Sequence, residues 1–94
     1  MSVVVVNEMD GGDQGFYEQV SSRVMPNNQL PEGCLVHIAG PTDRGWRVIT
    51  VWNSDEQFQQ FRDEKLIPTM QEAGQGGRVA PKVETNPVHR HITA

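Results

Sequence analysis

The sequence lacks most of what would announce a chemistry. A single cysteine, Cys34, excludes an internal disulfide. It fits a reducing compartment, so a cytoplasmic location is expected. Lys and Arg together number 8 in 94 residues, they are scattered, and the net charge is −4. Nucleic-acid binding needs clustered cations that displace counterions from phosphates, so no nucleic-acid partner is expected. No apolar run approaches the length of a membrane span, and no membrane partner is expected. The run Val3-Val4-Val5-Val6 is too short for a signal-peptide core and has no basic segment before it. There is no phosphate loop, no dinucleotide glycine pattern after the first strand, no CxxC and no HExxH. Neither a metal nor a cofactor is expected.

What is present reads as one α+β domain over residues 1–94. A chain this short buries a limited core and often recruits a partner subunit. Ser2–Asn7 is a β-branched strand followed by a turn over Met9–Gly12. Asp13 is an N-cap, and Tyr17, Val20 and Val24, with Phe16 adjoining, form the apolar stripe of a first helix. Pro26-Asn27-Asn28 ends it. Cys34–Ala39 and Trp46–Trp52 read as strands around a loop, Gly40–Gly45. Ser54 and Gln57 make a capping box for a second helix with Phe58, Phe61 and Leu66 on one stripe. Pro68 should interrupt that helix and open a short second piece, which Gly74 closes. Gln75-Gly76-Gly77 is a loop, and Arg78–Val88 is an extended strand. Its prolines, Pro81 and Pro87, place it at a sheet edge. His89–Ala94 is a tail.

The hairpin separates two faces. With Ala39 opposite Trp46, His37 opposite Val48 and Leu35 opposite Thr50, one face carries Leu35, His37, Ala39, Trp46, Val48, Thr50 and Trp52. The other carries Cys34, Val36, Ile38, Arg47, Ile49 and Val51. A slip of one residue would exchange the faces. The first face mixes large aromatics with a few polar groups, as a ligand pocket does. The second is nearly all apolar and reads as a packing surface. Helices on one side of a sheet leave the other side bare, and a large apolar patch rarely stays wet. A second copy of the chain is the simplest cover, so a homodimer is expected.

Pro31-Glu32-Gly33, His37-Ile38-Ala39-Gly40-Pro41, Gly45-Trp46-Arg47-Val48-Ile49, Val51-Trp52-Asn53-Ser54 and Phe58, Phe61, Leu66-Ile67-Pro68 resemble the dimeric α+β barrel superfamily. The small antibiotic-biosynthesis-monooxygenase-like members are the most similar. The resemblance implies a ferredoxin-like βαββαβ fold with a four-stranded antiparallel sheet, paired into a dimeric barrel, and one cavity per subunit between sheet and helices. It implies activities ranging from cofactor-independent quinol oxygenation to haem degradation, polyketide cyclisation and lactone isomerisation. Haem-degrading members use an asparagine on the first strand with a tryptophan and a histidine on the second helical segment. Asn7 suits the first position, but Phe61 and Gln71 stand near the other two, which leaves no iron ligand.

The expected ligand is a compact apolar or aromatic molecule. His37 is the candidate general base, since a neutral imidazole facing a pocket takes up a proton near neutral pH. The plainer alternative is a half-buried histidine bonded to backbone. Asn7 or Tyr17 would hold a developing oxyanion. Alternatively, Asn7 is a strand-end residue and Tyr17 reaches into water. Trp46 would stack on a ring, with Trp52, Leu35, Val48, Thr50, Phe58 and Phe61 completing the wall. Trp52, Phe58 and Phe61 also suit an ordinary core. Cys34 reads as a small buried hydrophobe. His89 and His91 share one side of an extended segment without a third ligand, so no metal is assigned. The expected activity is a cofactor-independent monooxygenase-like one, or a polyketide cyclase or isomerase with His37 as base. The alternative is a non-catalytic ligand-binding or assembly module.

Overall fold

The β-branched start of the chain forms β1 (Val3–Asp10) in a computed structural model that describes residues 1–74 and 82–94. The strand runs further than the sequence implies, because Met9 pairs with Trp46 and Asp10 with Gly45. Gly45 permits that pairing. A β-carbon on it would lie 2.7 Å from the Gly11 nitrogen and 2.8 Å from the Gly12 nitrogen, closer than any side chain tolerates.

Asp13 caps α1 (Gln14–Val24), its carboxylate accepting the Phe16 N–H at 2.8 Å. Phe16 and Val20 point into the core, so the buried stripe runs at i and i+4 from Phe16, with Tyr17 at its edge. The helix stops at a 3₁₀ turn, Pro26–Asn28, in which Asn27 and Asn28 both adopt φ 59°. Asn is among the few residues that enter this left-handed region readily.

The hairpin consists of β2 (Cys34–Pro41) and β3 (Gly45–Trp52). Its turn is tighter than the expected loop: Thr42 N–H donates to Gly45 O at 2.9 Å, and Gly45 N–H to Thr42 O at 3.3 Å. The register is therefore two residues away from the expected one, with His37 opposite Thr50, Ala39 opposite Val48 and Pro41 opposite Trp46. A two-residue shift keeps every side chain on its face. A bulge between Cys34 and Val36 does not, because it puts Cys34 opposite Trp52 and reverses the alternation there.

Ser54 caps α2 (Asp55–Phe61), its hydroxyl accepting the Gln57 N–H at 3.2 Å. Pro68 does not break the course of this helix. A π-helical turn, Arg62–Leu66, leads directly into α3 (Ile67–Glu72), and Ile67 before the proline is helical with φ −61° and ψ −48°. Ile67 N–H bonds to Arg62 O across the wider turn. The wider turn resets the hydrogen-bond register so that Pro68 falls in the first turn of α3, where a missing N–H costs little. Gly74, at φ 89°, follows α3. The expected loop at Gln75–Gly77 lies outside the described residues, as do Arg78 and Pro81. β4 (Lys82–Pro87) is an edge strand on β1, as its proline content implies.

The sheet order is β2-β3-β1-β4, antiparallel throughout. This is the ferredoxin-like βαββαβ arrangement. Val3, Val5, Cys34, Trp52 and Phe58 form one buried cluster on the inner face, and Phe16, Val20 and Met70 form another. The outer face carries Val4, Val6, Val36, Ile38, Ile49 and Val51. None of these is fully buried, and Ile38 is 58 % exposed. Arg47 lies on this face beside Glu8, at 2.8 Å.

Candidate functional site

Between the inner face and the helices lies a largely apolar cavity of about 80 Å³. β1 contributes Asn7, α1 contributes Tyr17, and the hairpin contributes His37, Val48, Thr50 and Trp52. Phe58 and Phe61 of α2 close one end. These candidates, drawn from separate stretches of sequence, therefore share one wall.

Two candidates do not belong to it. Leu35 is 39 % exposed and is absent from the cavity, because the bulge turns it out and brings Cys34 in. Trp46 does not line the cavity either. Pairing with Met9 draws it beneath α1, where its ring packs on Tyr17 with centroids 5.2 Å apart. Its indole nitrogen is buried without a hydrogen-bond partner among the described residues. Trp46 thus backs the phenol rather than meeting a ligand.

The polar feature of the wall is a contact that sequence alone does not reveal. The Tyr17 hydroxyl and His37 Nε2 hydrogen-bond at 2.6 Å, joining α1 to β2 across the sheet–helix interface, and the imidazole tautomer sets which of them donates. An accepting Nε2 leaves the ring proton of neutral His37 on Nδ1. Burial lowers the His37 pKa below its ordinary value, which favours that neutral form. Burial also raises the Tyr17 pKa, with Glu18 adding to the effect and Ser21 opposing it. The pair is therefore an uncharged phenol hydrogen-bonded to an uncharged imidazole beside an apolar space.

The remaining polar side chains of the wall are bound more firmly. Trp52 Nε1 donates to Thr50 Oγ1 at 2.9 Å, so the threonine hydroxyl is occupied by the core. Cys34 is buried, and burial raises its pKa, the opposite of an activated thiolate. Sequence reasoning missed Cys34, Val24, Met25 and Met70 as lining residues. For Val24 the helical spacing from Phe16 and Val20 was the available signal. For Cys34 there was none, because a bulge has no reliable sequence mark. Among the described residues no His, Cys, Asp or Glu side chains gather as a metal site requires.

Outside the Tyr17–His37 pair a solvent-facing groove of about 500 Å³ continues the space. Tyr17, Ser21, Met25 and His37 line both regions, so the pair stands at their boundary.

The lowered His37 pKa predicts a pH effect. The unfolded chain binds a proton on this imidazole more readily than the folded chain does. Stability contributed by neutral His37 is therefore complete above the unfolded pKa of about 6.5 and is lost progressively as pH falls below it. Melting temperature measured from pH 7.5 to 5 should fall more steeply for the parent chain than for His37→Phe.

No protein-family model and no curated protein sequence matches the chain. Solved structures do. SnoaB, a cofactor-independent oxygenase from Streptomyces nogalater, aligns with a TM-score of 0.68 at 16 % identity, over 99 % of this chain and 98 % of that one. A candidate antibiotic biosynthesis monooxygenase from Deinococcus radiodurans aligns at 0.66 and 11 % identity, over 100 % and 98 %. The fold is that of the antibiotic biosynthesis monooxygenases. Another candidate monooxygenase of this kind, from Chloroflexus aurantiacus, aligns at 0.61 and 18 % identity, over 98 % of both chains. Within this fold, α1 supplies the phenol of the Tyr17–His37 hydrogen bond and β2 the imidazole.

Proposed function

We propose that this chain is a homodimeric protein that binds a compact apolar or aromatic molecule between sheet and helices and removes a proton from it. The observation that carries this reading is the 2.6 Å bond from the Tyr17 hydroxyl to His37 Nε2 at the edge of an apolar cavity. An acidic hydroxyl or activated C–H of the ligand takes the place of Tyr17 on Nε2, and the imidazole accepts its proton. The displaced Tyr17 hydroxyl is then free to donate to the developing oxyanion, with the Asn7 amide as a second donor on the same wall.

Where the anion forms at an activated CH2 of the substrate, its carbon can add dioxygen and take back a proton as a hydroperoxide, and loss of water then leaves a carbonyl, so the substrate's own CH2 supplies both hydrogens of the water and all the electrons. This is the cofactor-independent monooxygenase-like outcome, and SnoaB is described as such an oxygenase. Without dioxygen, the same proton transfer serves a cyclisation or isomerisation. A non-catalytic binding module is the second reading. Its support is the small, largely apolar cavity of about 80 Å³, well below the ~300–1,000 Å³ of typical ligand pockets.

Dioxygen uptake with a panel of anthrone-type polyphenols tests the catalytic reading. His37→Ala should reduce the catalysed rate by ~100-fold or more, the range of a general base, with the fold and molecular mass retained. Tyr17→Phe should lose less, because a base without its donor still accepts a proton. Parent and His37→Ala proteins with equal rates would leave the binding-module reading standing.

A further inference from the structure

We propose that the ligand has two parts: a compact apolar head in the inner cavity and an uncharged, hydroxyl-rich tail in the outer groove. This rests on the reading of the cavity as the binding site and adds the chemistry of the portion outside it. The inner space of about 80 Å³ holds a small head only, whereas the outer groove adds about 500 Å³. Together they reach the size of an ordinary ligand site. Because Tyr17 and His37 line both, the atom joining head to tail lies beside the acid–base pair.

The groove's own chemistry selects the tail. Besides the pair itself, its polar lining is Glu18, Ser21, Ser22, Asn27 and Asn28. Among the described residues no Lys or Arg lines it, and the carboxylate of Glu18 repels an anion. A phosphate, sulfate or carboxylate tail would lose its hydration and gain no cation. The lining is instead rich in acceptors. The Ser22 hydroxyl donates to the backbone oxygen of Gln19 at 3.1 Å, leaving its oxygen to accept. Glu18 receives the Gln14 amide on Oε1 and retains Oε2. Asn27 and Asn28, both at φ 59°, are held in the turn that forms the rim, and each offers an amide oxygen. Such a lining pairs with several hydroxyl donors on a neutral molecule, as in a polyol or sugar.

Three probes sharing one head test this: phenol, phenyl β-D-glucoside and phenyl phosphate, titrated against the intact protein by NMR chemical-shift perturbation. The glucoside should bind about tenfold more tightly than phenol, the gain expected from one or two net hydrogen bonds. Phenyl phosphate should bind more weakly than phenol, and Glu18→Gln should narrow that gap. In a double variant, Asn27→Gly with Asn28→Gly, the left-handed backbone is kept and the amides are removed, so the glucoside-to-phenol ratio should fall towards one. Phenol binding with no advantage for the glucoside, or phosphate binding as tightly as the glucoside, overturns the two-part ligand alone. Failure of all three probes to perturb cavity residues overturns the binding-site reading with it.

Discussion

Replacing Ile49 with Asp should leave this protein a monomer of 10.5 kDa, and the parent chain should run at twice that mass. Ile49 sits in the middle of the outer face, opposite Val6 on β1 and Ile38 on β2. Together with Val4, Val36 and Val51 they form an apolar surface that no helix covers among the described residues. Helices on the inner side cannot reach it, and apolar surface left in water is unfavourable by about 25 cal/mol per Å². A two-fold copy placed on this face removes it from water on both chains at once. A carboxylate at its centre would have to be desolvated in the dimer, a cost of several kcal/mol, and the nearby Arg47 is already held by Glu8. The Arg47–Glu8 pair at the rim is about half exposed, so its loss should matter little. Light scattering after size exclusion at micromolar concentration reads the outcome. A parent chain already monomeric there would remove the dimer from the account.

Trp52→Ala should destabilise the fold by about 3–5 kcal/mol, the usual range for deleting a buried large aromatic. Small domains have only about 5–15 kcal/mol in total, so the variant should sit near the limit of folding. Trp52 is 1 % exposed, and its ring packs against Phe58 and Phe61 with centroids 5.7 and 5.3 Å away. It joins the end of β3 to α2 in the larger core cluster. Its truncation would also free Thr50 Oγ1 from the indole N–H and leave a polar group in a dry wall. Thermal melts should show a loss of well over 10 °C, since about 1 kcal/mol moves a domain of this size by roughly 4–8 °C. Trp52→Phe keeps most of the packing and should lose much less. A Trp52→Ala variant melting within a few degrees of the parent would mean that α2 is held by something other than this contact.

Much of this was legible in the residues, and the exceptions have physical causes. Asp13 and Ser54 announce their helices because a cap needs a short acceptor side chain at one position, a local requirement. The division of the hairpin into a mixed face and an apolar face survived a register error, because the error was two residues and strand alternation repeats every two. Leu35 and Cys34 exchanged places because one bulge inserts an odd residue, and no side chain in Gly33–Val36 advertises it. Pro68 was expected to end a helix, since a proline opposes the helical bond at its own nitrogen. A wider turn one step earlier moved that nitrogen to a place where no bond was needed. The Tyr17–His37 bond joins residues 20 apart in sequence, and only the packing of α1 on the sheet sets its length. Each side chain could be nominated separately, but their contact could not.

The ¹⁵N NMR titration of the His37 ring tests the acid–base pair most directly. The geometry predicts a neutral ring at pH 7, protonated on Nδ1, that takes up its second proton only below the ordinary value of 6.5. Burial lowers this pKa and persists in Tyr17→Phe, so that variant should keep a midpoint below 6.5 while its Nε2 resonance loses the upfield shift that a hydrogen bond from the phenol gives. A His37 that titrates at 6.5 or above, with an Nε2 resonance unchanged in Tyr17→Phe, would contradict the pair and the proton chemistry assigned to it.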